Sequence, residues 1–143
     1  MINSGNQKYS LVVHQDAESE LEALWDTNEA VAADIVALLE LLCDSQDLLD
    51  RLSKHGFVQY NKPAIEISKW VGQQQQKRNL WRLKFVAFVN SASARHRIIY
   101  AFHPTQLRYY VLGILNRDFN YEPSHPISKR IIAAYDELGI PDY

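Results

Sequence analysis

The sequence predicts an α+β fold: a small antiparallel sheet with an N-terminal helical hairpin packed on one face, followed by a C-terminal helix. Three observations predict it. Residues 16–52 set apolar side chains at helical spacing among acids. Residues 80–116 are rich in β-branched and aromatic residues, broken by short polar turns. Residues 126–138 return to helical spacing. At 143 residues, 47% hydrophobic and 22% charged, the chain fits one domain, 1–143, with enough apolar material for a core and no disordered bias.

Residues 9–14 (YSLVVH) read as a strand. Asp16 then occupies an N-cap position, with Glu18 and Glu20 in the first turn, where the helix dipole favours acids. Leu21, Leu24 and Trp25 form its apolar side. Thr27 or Asn28 can cap a second helix bearing Val31, Ile35, Leu38 and Leu42, and Ser45 a short third one bearing Leu48, Leu49 and Leu52, with Gly56 as its C′ stop. Residues 57–79, interrupted by Pro63 and Gly72 and containing QQQQKR, read as a loop. Strands are expected at 80–89, 96–102 and 108–116, joined through Asn90–Ala94 and the HPTQ turn at 103–106 as antiparallel hairpins. Pro126 starts the last helix, with Ile127, Ile131, Ala134, Tyr135 and Leu138 on one side and Gly139 and Pro141 ending it.

A single cysteine, Cys43, excludes an internal disulfide, and its leucine-rich setting predicts a small buried hydrophobe. Residues 1–9 lack the apolar stretch of an export signal, and no run reaches membrane-spanning length, so a cytoplasmic protein is expected.

The net charge of −2 hides an asymmetry. Residues 1–50 hold eleven acids and one base, Lys8, whereas residues 67–117 hold nine bases and no acid. Such segregation points to an anionic partner, or to acidic helices and basic strands that pair across the fold. Strand parity helps to separate these readings. Trp81, Leu83 and Phe85 share one side and Arg82 and Lys84 the other; Ile98, Tyr100 and Phe102 oppose Arg97, Ile99 and Ala101. In the last strand Tyr110, Leu112 and Ile114 oppose Tyr109, Val111, Gly113, Leu115 and Arg117. With helices over the apolar sides, Arg82, Lys84, Arg97 and Arg117 gather on the open side, where Ala101 and Gly113 leave room for a ligand backbone. Guanidinium forks beside Tyr109 and Tyr121 suit a phosphate backbone with bases, although exposed strands also carry cations to discourage edge pairing.

His103 and His125 each stand beside a proline, as turn and cap formers or, if the loops converge, as an acid–base pair. No zinc-ligand spacing and no glycine-rich phosphate loop occurs.

Taken together, HQDAESELEAL (14–24), NLWRLKF (79–85), RHRIIYAFHP (95–104) and YYVLGILNRDFNY (109–121) resemble the RelE/ParE superfamily of toxins from bacterial type II toxin–antitoxin pairs. The likeness runs from about Tyr9 to the final helix, and its most specific element is R-x-x-Y at Arg97 to Tyr100. It implies a growth-inhibiting toxin neutralised by a cognate antitoxin, with no cofactor and no metal. The RelE branch cleaves messenger RNA, usually on the ribosome, through attack of the RNA's own 2′-hydroxyl on the adjacent phosphate. By this resemblance Arg82 and Arg97 hold the scissile phosphate, Lys84 is the general base, Arg117 sits by the leaving 5′-oxygen and Tyr121 stacks on a base or orients the sugar. Lys77, Arg78, Arg108 and Tyr109 are further candidate RNA contacts. Two departures stand out: Arg82 occupies a position where lysine is common, and the Arg117–Tyr121 spacing is short. A ParE-like toxin that inhibits DNA gyrase, or a homologue retaining only antitoxin binding, is the alternative.

Overall fold

A computed structural model describes residues 8–59, 64–87, 95–116, 119 and 121–143. Strand β1 (Ser10–Val13) leads into three helices, α1 (Gln15–Thr27), α2 (Glu29–Cys43) and α3 (Gln46–Arg51). Strands β2 (Gly56–Gln59) and β3 (Ala64–Lys69), a short helix α4 (Val71–Gln74), strands β4 (Leu80–Ala87), β5 (His96–His103) and β6 (Arg108–Asn116), and helix α5 (Pro126–Asp136) follow. The strands form one six-stranded sheet in the order β1-β6-β5-β4-β3-β2. Neighbours from β6 to β2 run antiparallel, but β1 lies parallel to β6, so the sheet is mixed rather than purely antiparallel. The helical excursion between β1 and β2 is long enough to return the chain in that sense.

Caps start the helices. His14, not Asp16, is the N-cap of α1: its Nδ1 accepts from the Asp16 amide at 3.1 Å, while Asp16 and Glu18 fill the first turn. Asn28 and Ser45 cap α2 and α3 as their residue types suggest. Pro126 stands in the first turn of α5, whose Ile127 amide is held by His125 Nδ1 at 3.1 Å. Gly56, at φ +148°, is the first residue of β2 rather than a helix stop, which falls earlier, at Leu52. Within 57–79 the described residues form two antiparallel-paired strands and a helical turn instead of a loop. Two four- to six-residue strands give too short a pattern to stand out beside Pro63, which lies outside the described residues, as do Asn90–Ala94.

One core lies between the sheet and α1–α3. Val31, Ile35, Leu38 and Leu42 meet Ile65 and Ile67 of β3, Leu83 and Phe85 of β4, and Ile98 and Tyr100 of β5. Tyr100 donates its hydroxyl to the Leu52 carbonyl at 2.5 Å, tying the centre of the sheet to the end of α3. Burial pushes its phenol pKa well up.

The second face is not open along its length. Helix α5 covers part of it, packing Ile131, Ala134 and Tyr135 on Leu80, Ile99, Ala101, Leu112 and Leu115. Gly113 therefore admits a helix rather than a ligand: a Cβ there would lie 3.1 Å from Ile131 Cδ1. The parity of β6 also changes partway. Ile99 pairs with Gly113 but Tyr100 with Val111, leaving Leu112 as an extra residue. Tyr109 and Val111 thus face the helical core and Leu112 the α5 side, the reverse of simple alternation. Beyond the end of β1, the exposed edge of β6 is closed by side chains. Glu20 accepts from the Ile114 amide at 2.9 Å and pairs with Arg130 at 2.7 Å, and Arg130 donates to the Leu112 carbonyl at 3.3 Å.

Candidate nucleic-acid interface

The side chains that point away from the helical core at the β3–β5 end of the sheet are charged. Alternation along β4 buries Trp81, Leu83 and Phe85 and leaves Arg82 and Lys84 half-buried on the second face. Direct cross-strand pairing places Glu66, Lys84 and Arg97 in one row over β3, β4 and β5, with Ser68 and Arg82 in the next. At about 4.8 Å per strand step, that row spans about 10 Å. These five side chains line a cleft of about 100 Å³, room for about three waters or one phosphate group.

Three of the sequence-predicted cations, Arg82, Lys84 and Arg97, are therefore brought together. Arg82 is held on two sides: its Nε donates to Ser68 Oγ at 2.9 Å, and its guanidinium lies 4.9 Å from the centre of the Tyr121 ring. A cation over an aromatic face is worth about 0.5–2 kcal/mol. Tyr121 adopts a left-handed backbone conformation, φ +61°, which is unfavourable for a side chain of this kind. Ring contacts offset that cost, at 5.4 Å to Trp70 and 4.7 Å to Phe119. Its hydroxyl is shielded from solvent and has no hydrogen-bond partner among the described residues. Arg97 donates to the His96 carbonyl at 3.1 Å, which steadies its guanidinium beside Lys84.

Lys84, the general base by the resemblance, lies beside a carboxylate. It forms a 2.9 Å ion pair with Glu66 Oε1. The hydrogen bond from Lys84 holds the Glu66 carboxyl below its ordinary range, helped by the charges of Lys84, His55 and Arg82, with burial acting the other way. Glu66 and Ser68 escaped the sequence reading because their segment did not read as a strand. Alternation in AIEISK (64–69), with Ile65 and Ile67 inward, is the signal that could have found them.

Four expected RNA contacts stand apart from this cleft. Tyr109 is fully buried under the helices, stacked 4.5 Å from Phe102, because the bulge in β6 turns it inward. Arg108 pairs with His103, six residues along β5 from Arg97 and thus about 20 Å away, and donates to Ser10 Oγ. Arg78 is taken up by Asp136 at 3.1 Å and by Gln73 at 3.2 Å, and Lys77 forms the adjacent turn at φ +66°. Arg117 lies outside the described residues. The histidines hold backbone amides: His103 Nδ1 accepts from Gln106 as His125 Nδ1 does from Ile127. Cys43, expected to be buried, is exposed at the end of α2.

Among the described residues no three His, Cys, Asp or Glu side chains gather as metal ligands, and no helix is long and apolar enough to cross a membrane. No protein-family model, no curated protein and no solved structure matches this chain.

Proposed function

We propose that the chain is a toxin of the RelE/ParE type, a metal-independent messenger-RNA endoribonuclease held in check by a cognate antitoxin. The observation that carries this reading is the convergence of Arg82, Lys84 and Arg97, from two neighbouring strands, on one phosphate-sized cleft with Tyr121 stacked on Arg82. Guanidinium groups that line one cleft suit a phosphorane-like transition state, whose extra negative charge fixed donors stabilise. The Tyr121 ring, braced by Trp70 and Phe119, backs Arg82 and fixes its guanidinium beside the cleft. An acidic segment of an antitoxin laid over the same cations would neutralise them directly.

The Glu66–Lys84 pair favours a second reading. One carboxylate among three cations lowers the pull on a polyanion and suits the ParE-like alternative, a protein that inhibits DNA gyrase without cutting RNA. Primer extension on translated messenger RNA, run beside a gyrase supercoiling assay, separates the two. The endoribonuclease reading expects new 5′ ends from the wild type, none from Arg97→Ala, and undisturbed supercoiling. Blocked supercoiling with intact RNA would replace it with the alternative, and co-purification with the product of the adjacent gene tests the antitoxin.

A further inference from the structure

Attack by a 2′-hydroxyl needs a group that takes its proton, and the lining of the cleft offers few. Arg82 and Arg97 stay protonated at neutral pH. Lys84 is the donor of a 2.9 Å ion pair with Glu66, and a lysine in that role has no lone pair with which to accept a proton. Ser68 is engaged as acceptor for Arg82. Among the described residues of the lining, that leaves one carboxylate. Glu66 projects from β3 onto the cleft, directly across from Lys84, and its side chain is 43% exposed, so a bound nucleotide can reach it.

We propose that Glu66 is a catalytic residue of this cleft, the general base that removes the 2′-hydroxyl proton of an RNA substrate; the assignment deepens the endoribonuclease reading and rests on it. The 2′-O–H bond breaks, its proton passes to a Glu66 carboxylate oxygen, and the 2′-oxygen bonds to the adjacent phosphorus. The P–O5′ bond then breaks, and the 5′-oxygen takes a proton from solvent water. Glu66 returns its own proton to water, leaving a 2′,3′-cyclic phosphate and a 5′-hydroxyl. Arg82 and Arg97 balance the charge that builds on the phosphate. Lys84 becomes a positioning residue, which keeps the carboxylate ionised and aimed. The groups that face Glu66 are Lys84 and Arg82 from β4, Arg97 from β5 and His55 before β2, all basic, so the carboxylate is ionised throughout the neutral range.

The test compares the wild type with Glu66→Gln and Glu66→Asp in single-turnover cleavage of a short RNA, free and on translating ribosomes, from about pH 4 to 8. Binding of the same RNA with every 2′-hydroxyl methylated is measured in parallel. Glu66→Gln should cut the rate by about 100-fold or more and erase the acidic limb of the pH profile, while Glu66→Asp restores part of the rate. The methylated RNA should bind Glu66→Gln as tightly as the wild type or more so, because a negative charge beside three cations is gone. Cleavage by Glu66→Gln within about threefold of wild type, with the same pH profile, overturns the assignment and leaves the endoribonuclease reading standing. A fall in cleavage matched by a fall in binding overturns it in the same way, since Glu66 is then structural. A wild-type chain that cleaves no RNA in either setting overturns both.

Discussion

The two faces of the sheet are built from alternate residues of the same strands, yet they do different work. The face under α1–α3 is uniformly apolar: Ile67, Leu83 and Ile98 follow one another across β3, β4 and β5, and the polar atom of Tyr100 is answered by Leu52. The opposite face is divided. Where α5 lies, it holds Ile99, Ala101, Leu112 and Leu115; past the reach of α5 it holds Glu66, Ser68, Arg82, Lys84 and Arg97. Three helices on one side leave the other free to carry charge, because the apolar area needed for stability is already buried. A cleft of cations is affordable only on a scaffold held together elsewhere.

That contrast can be broken from either side. Leu83→Ala, in the middle of the helical core, should cost about 2–5 kcal/mol of stability, read as a fall in the midpoint of chemical denaturation. Its neighbour across the sheet should behave in the opposite way. Arg97→Ala should leave the denaturation midpoint nearly unchanged and, if the proposed endoribonuclease reading holds, lower RNA cleavage by about 100-fold or more. If Arg97→Ala unfolds the protein, or if Leu83→Ala is harmless, the division of labour between the faces is wrong.

The boundary on the second face can be probed at Gly113. A valine there would drive side-chain atoms into Ile131, which already lies 3.1 Å from the position of a single Cβ. Overpacking of this kind should cost about 1–3 kcal/mol and loosen α5 first. Hydrogen exchange that speeds up in α5 while α1–α3 stay protected would bear this out; uniform exchange across the molecule would argue against a separate α5 contact. Tyr100→Phe makes a finer cut. It keeps the ring but strands the Leu52 carbonyl, for a loss of about 1–2 kcal/mol and no change in cleavage per folded molecule.

How much of this was legible follows from the same physics. Strand alternation and helical spacing are local, so β4, β5, the four longer helices and the inward set Leu83, Phe85, Ile98 and Tyr100 could be read directly. Arg82, Lys84 and Arg97 followed from them. Three things depend on distant contacts and could not. The bulge at Leu112 reverses Tyr109, and no residue type announces it. The choice of face for α5 is made by Ile131 against Gly113, which sits in a strand pattern that an open surface would fit equally well. Glu66 meets Lys84 only because β3, in a stretch that reads as a loop, pairs with β4, and the charge count of residues 67–117 stops one residue short of it.

The smallest expected effect sets one carboxylate against another. Glu20, at the sheet edge, has its pKa raised by burial, with the Ile114 amide and Arg130 opposing; Glu66, in the cleft, has its pKa lowered by Lys84. A raised carboxyl binds protons more tightly folded than unfolded, so its share of stability is full below the ordinary glutamate pKa and declines as pH rises through the raised value. A lowered carboxyl contributes above the ordinary value and loses that contribution as pH falls through the lowered one. On acidification from neutrality, Glu20 therefore adds stability first and Glu66 removes it later. Thermal midpoints measured at about pH 6.5, 4.5 and 3 should show Glu20→Gln losing the early gain and Glu66→Gln losing part of the late fall. The second change should be small, about 0–1 kcal/mol, because the Glu66–Lys84 pair is exposed and screened. Asp50, held low by the Tyr9 hydroxyl and Lys54, keeps the rest of the acid-side loss in place. Identical slopes in all three proteins would mean that neither carboxylate feels its surroundings, and the charged cleft would then be no more than a solvated strand surface.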